Sequence, residues 1–205
     1  MCMYVEGAVG RHKGTSFTTF DRLLRHLETK LTQVINGSFH PRSYVGFSRF
    51  KQEFYAENFP QEKIGALLVW KAIRTFIKGS IEAKQASGGM LAREYFVGGK
   101  LGKNRCKVPS EMREAIYDVF LQYQLWIKEH HLFDDCDRIT ALLRGIEDVK
   151  KSNPSLYEDE IKSSKLYVDE VQDYTQIEIL LFFYIGGGPG SLFLAGGEFC
   201  GFIDL

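Results

Sequence analysis

Asp169 and Glu170 are adjacent carboxylates directly after an apolar run, Leu166-Tyr167-Val168, and Gln172 and Asp173 follow at once. Two acids side by side at a strand end are costly unless something charged binds there. A hydrated Mg2+ is the natural partner, since it takes one or two carboxylates together with substrate phosphates. In that reading Asp169 holds the metal through water and Glu170 orients and deprotonates an attacking water. Gln172 then hydrogen-bonds a phosphate oxygen or the same water. The other reading is local electrostatics: acids here simply favour the N-terminus of the next helix. The residues alone leave both open.

These side chains need a frame, and the neighbouring pattern supplies one. Leu166-Tyr167-Val168 is short and wholly apolar, as expected of a parallel strand covered on both faces. Thr175 and Glu178 have capping-box spacing, and Ile177 to Ile185 is apolar nearly all round, which predicts a buried helix. Gly186-Gly187-Gly188-Pro189-Gly190 breaks that helix, and Ser191-Leu192-Phe193-Leu194-Ala195 begins a second strand. Short connections and the right-handed crossover rule place it parallel to the first. The acids then lie at the carboxyl end of a strand, where open α/β sheets bind their ligands.

Upstream, Ser16-Phe17-Thr18-Thr19-Phe20 is β-prone, and Asp21 opens a helical pattern through Leu23, Leu24, Leu27 and Leu31 that Asn36-Gly37-Ser38 closes. Hydroxyls and backbone N–H groups at such a junction suit a phosphate or a nucleic-acid backbone. Equally, Thr19 and Asp21 can cap the helix and nothing more. Residues 43–85 predict two helices. Phe47, Phe50, Phe54 and Tyr55 on the first form either a base-stacking stripe or a core face. The glycines and cations from Gly98 to Lys107 do not match G-x-x-x-x-G-K-[ST], so this is no P-loop. It reads as a solvated connector or a backbone-contacting loop. Pro109-Ser110-Glu111 starts the longest helix, with Ser110 as N-cap. His130-His131 and Asp134-Asp135-Cys136-Asp137 suggest either a metal site or ordinary helix-end electrostatics.

The 205 residues carry zero formal net charge, with 44% hydrophobic and 25% charged residues, as in ordinary globular proteins. No overall basic field points to nucleic acid. Four scattered cysteines without a CxxC pair read as reduced thiols in an intracellular protein. The start lacks signal-peptide character, and no apolar run reaches the ~20 residues of a membrane span. No internal repeat is visible.

Tyr167-Val168-Asp169-Glu170-Val171-Gln172-Asp173 resembles motif II, the Walker B element, of superfamily 1 helicases of the UvrD/Rep type, which carry D-E-x-Q-D after an apolar strand. Leu192-Phe193-Leu194-Ala195-Gly196 resembles the approach to their motif III, and Ser16 to Phe20 resembles their T-F-H-x-F type motif. The whole segment is similar to the UvrD-like domain of large TPR- and ankyrin-repeat proteins. The resemblance implies an α/β fold: a partial RecA-like P-loop NTPase parallel sheet with a large all-helical inserted subdomain. Its divisions are 1–42, 43–160 for the helical insert, and 161–205. It implies ATP and Mg2+ as cofactors, Asp169 as metal ligand, and Glu170 and Gln172 as catalytic and nucleotide-binding residues. Thr18, Thr19 and Phe20 would lie beside single-stranded nucleic acid, DNA more than RNA. Three departures stand out. No Walker A sequence occurs, Gly197 and Cys200 replace the acid and glutamine of motif III, and the second RecA-like domain is missing. The expectation is therefore a helicase fragment, inactive without the remainder of a larger helicase chain. The alternative is a degenerate non-enzymatic module that binds protein or nucleic acid.

Overall fold

Thr19 ends a strand and caps a helix: its side-chain oxygen accepts from the Arg22 backbone N–H at 3.3 Å. From that junction the computed structural model describes residues 2–6, 15–35, 39–61, 63–86, 88–98, 100–101, 105–163, 165–186 and 189–196. In chain order the main elements are strands β1 (Cys2–Glu6) and β2 (Thr15–Thr19) and helix α1 (Phe20–Lys30). Then come the long helices α2 (Ser110–Glu129) and α3 (Asp135–Ser152). Strand β3 (Lys165–Val168), helix α4 (Gln176–Gly186) and strand β4 (Leu192–Leu194) complete the set. Shorter helical segments fill the stretch between α1 and α2. The chain divides into a unit of Met1–Gly37 with Ala141–Leu205 and a unit of Ser38–Thr140, the boundary falling inside α3.

The first unit holds all four strands, in the order β2-β1-β3-β4. This corrects the expected RecA-like parallel sheet. Only β3 and β4 run parallel, with Leu166 opposite Leu192 and Val168 opposite Leu194. On its other side β3 pairs antiparallel with β1, and β1 pairs antiparallel with β2. The physical reason is in the local pattern. A parallel sheet covered on both faces would bury every residue of β3, whereas Leu166 and Val168 are buried while Lys165 is exposed and Tyr167 half-exposed. A strand that alternates this way is finished on one face only, as antiparallel sheets allow.

The covered face packs on helices. Leu23, Leu24 and Leu27 of α1 and Ile177, Leu181, Phe182 and Ile185 of α4 are buried. The Tyr157 hydroxyl donates to the Tyr184 carbonyl at 2.8 Å, and the Tyr184 hydroxyl donates to Glu147 Oε1 at 2.7 Å.

The second unit is helical and its core is aromatic. Phe50, Phe54, Trp70 and Tyr123 meet with ring centroids 5.0–6.1 Å apart, so the stripe that could have stacked bases is core. Phe47–Arg49 and Ala66–Ala72 each run into a π-helical segment, Phe50–Tyr55 and Ile73–Ile77. In the second of these the Lys78 N–H reaches the Ile73 carbonyl, 2.9 Å away. The wider turn turns Lys78 into the interior, where it is 3% exposed. Helix α2 starts one residue from expectation: Pro109 holds the N-cap position, and Ser110 is already helical.

Candidate functional site

The Asp169–Asp173 turn sits at the carboxyl end of β3 because the strand's last ladder bonds close above it. The Ala195 N–H donates to the Val168 carbonyl at 2.8 Å, and the Val171 N–H donates to the Ala195 carbonyl at 3.0 Å. Between those bonds the chain must reverse, and Glu170 takes up a left-handed conformation with φ 54° and ψ 43°, uncommon for a residue with a Cβ. Asp169 Oδ1 accepts the Glu170 N–H at 2.9 Å, which supports that turn. The Gln172 side-chain amide donates to Glu170 Oε2. Gly196 closes over this pair: a Cβ there would run into Gln172 Oε1 and lie 3.0 Å from Val171 Cγ1.

The turn then feeds α4 through the Glu178 carboxylate. The Thr175 N–H and hydroxyl both donate to Glu178 Oε2, at 2.6 and 2.8 Å, and both residues are buried. Tyr174, between turn and helix, has its hydroxyl buried without a hydrogen-bond partner among the described residues. Burial, and then the charges of Glu178 and Asp173, push its pKa well above the ordinary value.

One contact links the Thr18–Phe20 segment to the residue that follows the acidic turn. Phe20 packs edge-on against Tyr174 at 5.1 Å and Phe182 at 5.6 Å, and Tyr174 meets Phe182 at 5.0 Å. Of the three residues assigned to nucleic acid, Phe20 therefore fills an aromatic knot and Thr19 caps α1, while the Thr18 hydroxyl faces the Thr19 carbonyl at 3.4 Å. Asp169, Glu170 and Gln172 are all exposed. Gly197 and Cys200 lie outside the described residues, as do Asn36, Gly37 and Ser38.

A feature missed in the sequence is the face of the sheet turned away from α1 and α4. Phe17 lies opposite Tyr4, Tyr4 opposite Tyr167, and Tyr167 opposite Phe193. Directly opposed residues share a face, so these positions line up in register across the strands. Phe17 is 74% exposed and Phe193 50%. The Tyr167 and Phe193 rings stack at 4.7 Å, 11° from parallel. The signal was present as Tyr4, Phe17, Tyr167 and Phe193 at alternating strand positions, but the pairing of β1 with β3 was needed to align them.

The second unit holds the other dense polar cluster. Lys78 Nζ lies 2.6 Å from Asp134 Oδ2 and 2.7 Å from Asp137 Oδ1. The Tyr123 hydroxyl donates to Asp134 Oδ2 at 3.2 Å. Asp134 and Asp137 also cap the start of α3 reciprocally, each side chain accepting the other's backbone N–H at 3.1 Å. Burial alone would lower the Lys78 pKa, but the two aspartates outweigh it and hold the ammonium charged. Among the described residues no group of His, Cys, Asp and Glu could hold a metal ion, and no helix is long and apolar enough to cross a membrane.

Comparison with known proteins bears on the helicase resemblance. No protein-family model matches the chain, and no solved structure matches it. In sequence it is 34% identical over 170 residues to TPR and ankyrin repeat-containing protein 1 of Homo sapiens. That match covers 82% of this chain and 6% of the human protein, so the chain spans a small part of the relative's length. The assignment to UvrD/Rep-type helicases is thereby corrected. No helicase family model recognises the chain, and the relative's name describes repeats. The physical reason lies in how little carries the motif. D-E-x-Q-D is five residues whose meaning depends on a parallel sheet around them, and here the sheet on one side of β3 is antiparallel.

Proposed function

We propose that this chain is a non-enzymatic module that binds another protein through the open face of its sheet. The observation that carries the reading is the exposure of Phe17 and Phe193 on the open side of the sheet, with the Tyr167 ring stacked on Phe193. Large apolar side chains left in water as one contiguous patch mark interaction surfaces, and aromatic residues are enriched at the cores of protein interfaces. The acidic turn supports the same reading. Its carboxylates accept the Glu170 N–H and the Gln172 amide, and no G-x-x-x-x-G-K-[ST] sequence occurs in the 205 residues to cradle a phosphate.

The test is calorimetric titration of the chain with Mg-ATP, alongside a phosphate-release assay with and without single-stranded DNA. The expected result is no binding heat and no turnover above buffer. Turnover that disappears in Glu170→Gln would overturn the proposal.

A further inference from the structure

We infer that the open sheet face docks an arginine-bearing segment of another protein, with guanidinium groups lying on the exposed aromatic rings and pairing with the carboxylates at the carboxyl end of β3. This rests on the protein-binding reading above and assigns the chemistry of the partner. The face offers flat π surface: the stacked Tyr167 and Phe193 rings, and Phe17, 74% exposed at the far strand. Strand spacing sets the Phe17 and Phe193 positions roughly 14 Å apart, three gaps of about 4.8 Å.

The two ends of β3, which flank Tyr167, differ in charge. At one end Lys165 and Glu6 sit directly opposite each other in the register. At the other, Asp169, Glu170 and Asp173 are exposed and none of them forms an ion pair among the described residues. Asp169 lies two residues beyond Tyr167, about 7 Å along the chain. The unit that carries the sheet holds ten lysines and arginines against fourteen aspartates and glutamates, a formal net charge of −4.

That combination selects among ligands that stack on aromatic rings. Bases stack equally well, but their phosphates would enter a negative field, with the exposed carboxylates of Asp169 and Glu170 at the end of β3. A guanidinium is attracted by both halves of the surface. It lies flat on a ring face and also pairs in bidentate fashion with a carboxylate. An ammonium makes a point contact only, so arginine should outbind lysine.

Fluorescence anisotropy on the full chain tests this, with a labelled short arginine-glycine peptide, its lysine-glycine counterpart, and single-stranded DNA and RNA oligonucleotides as probes. The arginine peptide should bind tightest. Phe17→Ser and Phe193→Ser should each weaken it roughly twofold to fivefold, and Asp169→Asn with Glu170→Gln by roughly fivefold or more. Both phenylalanines are solvent-exposed, and unchanged circular dichroism and urea midpoints verify that the variants fold. Equal affinity for the lysine peptide, or arginine-peptide binding unchanged in both phenylalanine variants, overturns the inference and reduces the surface to plain charge attraction. Tighter binding of either oligonucleotide overturns it in favour of nucleic acid. Failure of the peptide arm alongside a silent ATPase assay removes the arginine chemistry and leaves the non-enzymatic reading standing.

Discussion

Replacing Lys78 with methionine isolates the buried charge cluster of the helical unit. Lys78 is 3% exposed, and Asp134, its nearest partner at 2.6 Å, is equally buried. Methionine fills similar volume and removes the cation, so Asp134 keeps only the Tyr123 hydroxyl and the Asp137 N–H. Removing one member of a buried pair leaves an uncompensated charge, at a cost of about 3–5 kcal/mol. Urea slopes of about 1–3 kcal/mol/M turn that into a midpoint lowered by at least about 1 M. The only tryptophans, Trp70 and Trp126, both lie in this unit, so their fluorescence reports its unfolding. The decisive comparison is Lys78→Met with Asp134→Asn. Asparagine can still cap α3, and replacing both partners costs far less than breaking the pair. The double variant should therefore recover most of the lost stability. A single-variant loss below about 1 kcal/mol, or a double variant no more stable than Lys78→Met, would refute the assignment of this cluster as the unit's buried electrostatic anchor.

Two further outcomes follow from the same geometry. Burial, and then the charge of Asp134, raises the Asp137 pKa to about 6 from an ordinary value of 3.8. Between those values the folded chain binds more protons than the unfolded one, so this group's contribution to stability declines as pH rises from about 4 to about 6. Urea midpoints of wild type and Asp137→Asn, measured across that range, should differ by a pH-dependent amount; a constant difference would count against the shift. Gly196→Ala should displace Gln172 and break its bond to Glu170, lowering stability by roughly 1 kcal/mol. Amide chemical-shift changes should cluster around residues 168–172, and a spread through α4 would show that Gly196 does more than close the turn.

How much of this could be read from the residues varies element by element. The α1 leucines, the Thr19 cap and the Thr175–Glu178 pair are local signals at fixed spacing, and each stands where the pattern put it. Leu166-Tyr167-Val168 read correctly as a strand, but an apolar triplet containing tyrosine is ambiguous between two buried faces and one. The ring of Tyr167 on the open face decides it. β1 gave no warning: Cys2–Glu6 is too short for a period to show, and its pairing with β3 depends on residues far away in sequence. That pairing set both the sheet's direction and the register of the aromatic positions. Lys78 was invisible for a related reason. A lone cation at the end of the Ile64–Ile77 apolar stripe looks like a solvated helix end, and the π segment turns it inward. The acidic turn was legible as residues and misleading as a family signature.

The pairing of Met3 with Val168 also governs when the molecule can form. The two strands lie on either side of the helical unit in sequence, and closing so long a loop is slow compared with local pairing. The β1–β2 pairing and the helical unit of residues 38–140 involve only earlier residues, so both can form while the rest is being made. β3 and β4 are made after them, and until they arrive the β3 side of β1 lacks its partner. An unpaired strand edge of that kind templates wrong pairings. The nascent chain is therefore most vulnerable in the interval before β3 emerges, with its helical unit already folded and β1 still waiting.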